Sequence, residues 1–145
     1  MSENTIWEGF AGAVVRLEFS TGGVLLEPSR AGDVGMFPFA VPVHIVTACN
    51  PAGFEIDDET NAARHRSLAV AVARLETIPT VGSAPDGSLP EPGFCLLDVS
   101  LSYALDLALD FGQRAIYQWA SDALTIVGVD EPRRRTLGWS LSEHR

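Results

Sequence analysis

The feature that most constrains the fold is the run VHIVTAC at residues 43–49, a nearly continuous apolar stretch between Pro42 and Pro51. Proline cannot donate a hydrogen bond to a central sheet, so the two prolines set the limits of this segment. A short run that is apolar at almost every position is typical of a strand buried on both faces. The sequence therefore predicts a central strand that other elements cover on each side.

Local patterns predict the remaining elements along the chain. They are an N-terminal hairpin around Thr21-Gly22-Gly23, a helix capped by Asp57 or Asp58, a hairpin of residues 78–84 and 93–97 around Pro85-Asp86-Gly87, a helix from Leu101, and strands at 115–119 and 124–129. From residue 43 the order is strand, helix, strand, strand, helix, strand, which is the order of a ferredoxin-like β-α-β-β-α-β unit.

We therefore expect an α+β fold, with an antiparallel sheet that carries both helices on one face. The N-terminal hairpin and a C-terminal strand would extend this sheet, although a different connectivity of the same elements stays open. At 145 residues the chain is predicted to be one domain, 1–145. Its core would span about 13–129, with a mobile tail at 130–145.

Composition limits the partners and the compartment. Ten Lys plus Arg against nineteen Asp plus Glu give a net charge of -9, which argues against binding to nucleic acid. The one basic cluster, Arg133-Arg134-Arg135, is expected to be part of a solvated tail. There is no secretory signal or membrane-spanning run, and Cys49 and Cys95 lack metal-site spacing. We expect a cytoplasmic protein, monomer or homodimer, without a cofactor or contact with a membrane.

The predicted topology places several polar residues at one end of the sheet. The first central strand would end at Asn50, and the third would begin near Glu91 at the same end. The second helix would finish there at Gly112-Gln113, and Asp86 would lie in the turn of the second hairpin. These separated segments are therefore expected to meet.

Asn61 lies seven residues before Leu68, nearly two helical turns, and so shares the helix face that turns toward the sheet. A buried amide without hydrogen-bond partners costs roughly 1 to 3 kcal/mol, and the nearest candidate partners are Asn50 and Glu91. The alternative is that Asn61 only bonds the loop backbone after Pro51 and keeps the strand-to-helix turn closed.

Five short motifs occur in a specific order: T-A-x-N-P at Thr47 to Pro51, the following Asn61, Pro85-Asp86-Gly87, Glu91-Pro92, and F-G-Q-x-A-I at Phe111 to Ile116. Together they resemble the DUF3293 family, a bacterial domain family of unknown function, from the N-terminal hairpin to about Val129. The resemblance implies no reaction. It does lend weight to Asn50, Asn61, Glu91 and Gln113, which together with Thr47 are the candidate ligand-binding residues. Two positions depart from the family pattern: Cys49 lies at a variable position, and Gly93 stands where serine is more usual. Both departures weaken any mechanism that relies on Cys49 or on a hydroxyl group after Glu91.

Catalytic interpretations of these residues compete with structural ones. Cys49 as a nucleophile would need a nearby base, but strand alternation puts His44 on the opposite face, and His65 is a looser possibility. A buried, unreactive thiol is the preferred interpretation. Glu91 as a general acid or base would need burial or a second carboxylate, for which Asp86 is the candidate. The acidic run Asp57-Asp58-Glu59 is explained as a helix start, so no metal site is predicted.

Three hypotheses for function follow. The first is a non-catalytic domain that binds a small molecule or a protein partner through the Asn/Glu/Gln cluster, since amide side chains recognise ligands without titrating. The second is a small hydrolase or transferase with Glu91 as general acid or base. The third is an assembly module in which an edge strand such as 124–129 pairs between chains.

Overall fold

A computed structural model of the chain describes residues 3–144. Within these residues the chain forms eight strands and three α-helices, together with a short 3-10 turn at Pro51–Gly53. The strands are β1 (Val14–Phe19), β2 (Gly22–Ser29), β3 (Val43–Thr47), β4 (Thr77–Ser83), β5 (Glu91–Leu96), β6 (Ala115–Trp119), β7 (Leu124–Gly128) and β8 (Arg134–His144), and the helices are α1 (Glu3–Gly12), α2 (Asp58–Ala71) and α3 (Leu101–Asp110). None of the helices in this described part is long and apolar enough to cross a membrane.

The strands form one closed antiparallel barrel in the order β1-β2-β8-β7-β6-β3-β5-β4, and β4 pairs back to β1. The prediction of a ferredoxin-like α+β fold with an open sheet is therefore wrong. The four strands on which it rested are neighbours in the order β6-β3-β5-β4, but their sheet continues on both sides until it meets itself.

The barrel is closed by two segments that were predicted to lie at the edge of the sheet or outside it. β1 of the N-terminal hairpin pairs with β4, with Val15 opposite Gly82 and Leu17 opposite Thr80. Residues 134–144, expected to be part of a mobile tail, form β8 and pair with both β2 and β7. β7 consequently has a partner on each side and offers no free edge for assembly with another chain.

The interior of the barrel is filled unevenly along its axis. At one end the rings of Trp119 and Trp139 lie 5.2 Å apart, and Phe37, from the loop after β2, packs edge-on against both. At the other end the residues that face each other across β3 and β5 are small, with Thr47 opposite Gly93. Aromatic side chains thus close one end, whereas space remains inside the other.

Helices α2 and α3 cover part of the outer wall. Their buried residues, which include Leu68 of α2 and Ala104 and Ala108 of α3, pack in one cluster with Val46 and Ile116, outward-facing residues of β3 and β6. Strand β3 is buried on its inner and outer sides, as its continuous apolar run predicts. Asp57 and Ser100 cap the two helices by accepting hydrogen bonds from Thr60 N–H and Tyr103 N–H.

Replacement of Gly93 by alanine is expected to destabilise the barrel. A Cβ atom at this position would lie 2.3 Å from the carbonyl oxygen of Val46, so the paired strands β3 and β5 would have to separate. Gly93→Ala should lower the free energy of unfolding by about 1 to 3 kcal/mol, measured by urea denaturation. Gly82→Ala is the matched control on the neighbouring strand, because its nearest atoms would lie 4.0 Å away. Equal effects of the two substitutions would contradict this account of β3 and β5.

Candidate ligand-binding site

The junction between β3 and α2 is held by a pair of amide side chains. Asn50 adopts a left-handed backbone conformation (φ 47°), which asparagine tolerates better than most residues. Its N–H donates to Asn61 Oδ1 at 2.9 Å, and Asn61 Nδ2 donates to Asn50 Oδ1 at 2.8 Å. Asn50 Oδ1 also accepts a hydrogen bond from Ile56 N–H at 3.1 Å. Asn61 therefore points inward as predicted, and its partners are the backbone and side chain of Asn50.

Arg64 and Gln113 tie this junction to the end of α3. Arg64 Nε donates to the carbonyl of Ala48 at 2.6 Å, and its Nη2 donates to the carbonyl of Phe111. Gln113 Nε2 donates to the carbonyl of Cys49 at 3.1 Å. Three segments that are distant in sequence thus meet here, as the positions of Asn50 and Gln113 at the ends of their elements predict. Sequence reasoning missed Arg64, because nothing local indicates which carbonyls so long a side chain reaches.

Thr47 joins β3 to the beginning of β5. Its hydroxyl donates to the carbonyl of Pro92 at 2.9 Å and accepts from Cys49 N–H at 3.1 Å. Cys49 itself is 2% exposed, and burial raises the pKa of its thiol. Both features support the interpretation of Cys49 as a structural thiol.

The open end of the barrel contains a cavity of about 570 Å³. Its lining is mainly apolar, with side chains such as Val15, Ile45 and Ala115 on the barrel wall. Four of the five candidate residues, Thr47, Asn50, Glu91 and Gln113, line it, whereas Asn61 does not. Asp86 is not among the lining residues either; its carboxylate accepts from Ser88 N–H within the β4–β5 turn.

Helix α1 supplies part of the cavity wall and was not predicted. Ile6 and Phe10, four residues apart on this helix, line the cavity, and the carbonyl of Phe10 accepts a hydrogen bond of 2.6 Å from Tyr117 Oη. Trp7 is fully buried in the core that fills the barrel. The spacing of Ile6, Trp7 and Phe10 is the signal that could have revealed the helix.

The arginine cluster expected in a solvated tail holds α1 in place. The guanidinium of Arg133 lies 4.4 Å from the ring centroid of Trp7, and Arg135 forms an ion pair of 2.9 Å with Glu8. Trp7 Nε1 also donates to Glu131 at 3.2 Å. Because all three contacts come from the segment that leads into or forms β8, this part of the chain both closes the barrel and fixes α1.

Glu91 is a cavity-lining carboxyl whose pKa is strongly shifted. Burial raises the pKa of its carboxyl from 4.5 to about 7, and a hydrogen bond from the Asn50 side chain partly opposes this shift. The negative charge of Glu91 contributes in turn to the raised pKa values of Tyr117 and Cys49, after the larger effect of their own burial. Glu91 can therefore exchange a proton near neutral pH or act as a counter-ion.

The other residues considered for chemistry lie elsewhere. His44 is buried on the outer wall, where its Nε2 lies 3.2 Å from Gln118 Nε2, and the ring of His65 stacks on Phe94 with centroids 5.1 Å apart. Neither histidine lines the cavity. Within residues 3–144 the structure brings together no group of three His, Cys, Asp or Glu side chains that could hold a metal ion.

The fold and the site define a closed β-barrel with a mainly apolar internal cavity. Residues 46–116, just under half of the chain, match the model of the family described as "Protein of unknown function (DUF3293)", which is the family that the motifs resemble. All five motifs of the resemblance lie within the matched residues, although the match is shorter than the resemblance suggested. The family description assigns no activity. Comparison with curated proteins and with solved structures gave no match.

Asn61→Ala is expected to loosen the junction between β3 and α2. The substitution leaves Asn50 N–H without its acceptor, so the free energy of unfolding should fall by about 1 to 3 kcal/mol, measured by urea denaturation. Ser67→Ala, on the exposed face of the same helix, is the control and should change stability by less than about 0.5 kcal/mol. If both variants unfold alike, the amide pair does not hold the junction.

Glu91 should make stability depend on pH. Because its pKa rises from 4.5 to about 7 on folding, the folded chain binds this proton more tightly than the unfolded chain. The resulting stabilisation is complete below pH 4.5 and disappears as the pH rises through about 7. Glu91→Gln does not titrate, so from pH 4.5 to pH 8 the wild-type chain should lose about 1 to 3 kcal/mol relative to this variant.

The measurement is urea denaturation of both proteins across this pH range. Glu59→Gln removes an equivalent carboxyl from the exposed surface of α2 and should retain the wild-type pH profile. A constant difference in stability between wild type and Glu91→Gln would show that the carboxyl does not titrate as described.

Proposed function

We propose that this domain binds a small, mainly apolar molecule in the open end of the barrel. The single observation that carries the proposal is the cavity of about 570 Å³, whose size and apolar lining are typical of small-molecule sites. Eight-stranded barrels have room for one small ligand when side chains do not fill the interior. Here the aromatic cluster around Trp119 and Trp139, both fully buried, fills the opposite end.

The few polar side chains that line the cavity could form hydrogen bonds with a polar group at one end of such a ligand. Glu91 and Thr80 come from neighbouring strands β5 and β4, and both line the cavity. Asn50 and Gln113 also line it, but their hydrogen bonds to Asn61, Ile56 and Cys49 give them a structural task. In this proposal Glu91 is the principal polar contact, and the amide side chains keep the cavity end in shape.

A second function is favoured by one observation, the pKa of about 7 for a carboxyl in a concave site. A general acid or base works best when its pKa lies near the working pH. Glu91 would then transfer a proton to or from a bound substrate, as a hydrolase or transferase requires. The binding proposal needs only the cavity, whereas this alternative also needs turnover.

We propose that the protein is located in the cytoplasm. Cys49 and Cys95 are free thiols, and both are buried. Such cysteines suit a reducing compartment.

Binding is testable with N-phenyl-1-naphthylamine, a neutral fluorescent probe of apolar sites. We expect saturable fluorescence enhancement with the wild-type chain. Ala84 lines the cavity just after β4, so Ala84→Trp should occupy the space and weaken binding at least about tenfold, or about 1.4 kcal/mol. Val70→Trp is the control, because Val70 is 77% exposed on α2 and does not line the cavity.

Absence of saturable binding, or equal binding by both tryptophan variants, would refute the cavity as the site. Compounds that displace the probe should be recovered unchanged after incubation, as judged by mass spectrometry. A product formed by the wild-type chain but not by Glu91→Gln would instead support the catalytic alternative.

A further inference from the structure

The charges around the cavity favour a cationic ligand over an anionic one. Three carboxylates, those of Glu8, Glu55 and Glu91, and one guanidinium, that of Arg114, line it in the part of the chain that the structure describes. Glu8 forms an ion pair with Arg135 and is largely exposed, as is Glu55. Glu91 is therefore the carboxylate that lies deepest in an apolar environment.

No positive charge from the described residues acts on the Glu91 carboxyl. The ten Lys-plus-Arg residues of the sequence are all arginines, so there is no lysine ammonium available. The influences on the Glu91 carboxyl are its own burial and the hydrogen bond from Asn50, without an opposing charge. Arg64, the guanidinium near Cys49, is directed to the carbonyls of Ala48 and Phe111.

Tyr117 and Cys49, the two described groups whose pKa values the Glu91 charge raises, carry no positive charge to neutralise it. The hydroxyl of Tyr117 donates to the carbonyl of Phe10, and the Cys49 thiol lies against the carbonyl of Pro92. A carboxylate held in an apolar site without a counter-ion is unfavourable, whereas a charge-paired and hydrogen-bonded one is tolerated. An ammonium group brought in by a ligand would supply the missing partner.

We propose that the cavity selects an amine with an apolar body, with the ammonium group paired to the Glu91 carboxylate and the body against the barrel wall. The inference rests on the proposed binding function and names the chemical class of its ligand. Apolar contacts supply affinity for any ligand of suitable size, and the carboxylate distinguishes the amine from neutral or anionic compounds of equal size.

The test compares three compounds with the same skeleton, 3-phenylpropylamine, 3-phenylpropan-1-ol and 3-phenylpropanoate, by displacement of the neutral probe. At pH 8 the amine should bind at least about tenfold more tightly than the alcohol, and the carboxylate should bind most weakly. From pH 8 to pH 5.5 the affinity for the amine should fall about tenfold, as Glu91 becomes protonated. The alcohol should show little dependence on pH.

Glu91→Gln should bring the affinity for the amine down to that for the alcohol, and Glu59→Gln should retain the wild-type preference. If Glu91→Gln does not fold, the pH series on the wild-type chain decides the question. Equal binding of amine and alcohol, or tightest binding of the carboxylate, would overturn the choice of an amine and leave the proposed binding function intact. If neither the probe nor any of the three compounds binds, the proposed function itself fails.

Discussion

Closure of the barrel is the constraint on which the site depends. The pairing of β1 with β4, together with the place of β8 between β2 and β7, gives every strand two partners and turns the sheet into an enclosed wall. An open sheet would have exposed the inner faces of β3, β5 and β6 or covered them with helices. Once the ring is closed, those faces enclose a volume instead. Aromatic side chains fill one end of that volume, and the other end becomes the cavity.

The cavity lining includes the carboxyl of Glu91, and burial of this group is unfavourable for the stability of the fold. Burial of Glu91 raises its pKa to about 7, so near neutral pH the folded chain carries a partly ionised group in a mainly apolar environment. An apolar residue at this position would avoid that penalty. Because perturbed titratable groups in clefts are concentrated at functional sites, Glu91 has a stronger claim to a role in function than the amides around it.

Sequence patterns sufficed for the elements from β1 to β7 and for the end of the sheet where the site lies, but not for α1 or β8. The end of β3 and the starts of β5 and β6 lie on one side whether the sheet is open or closed, which is why Thr47, Glu91 and Gln113 do line one cavity. Closure was not predictable in this way, because it depends on the register of β1 against β4, two strands with more than fifty residues between them. The basic run at the start of β8, Arg133-Arg134-Arg135, was wrongly predicted to be a solvated tail for a related reason. Its contacts with Trp7 and Glu8 link the two ends of the chain.

The Asn50–Asn61 pair shows that residues belonging to the same set of family motifs can have different roles. The side chain of Asn61 bonds to the backbone and side chain of Asn50 and lies outside the cavity lining, so its inward position is explained by closure of the β3–α2 turn. Asn50 takes part in both the β3–α2 junction and the cavity lining. Its side-chain oxygen accepts a hydrogen bond from Asn61, and its side chain also bonds to Glu91. The structural pair thereby fixes the direction from which Glu91 receives a hydrogen bond. The amide of Asn50 thus connects the hydrogen bonds of the β3–α2 junction to the carboxyl that lines the cavity.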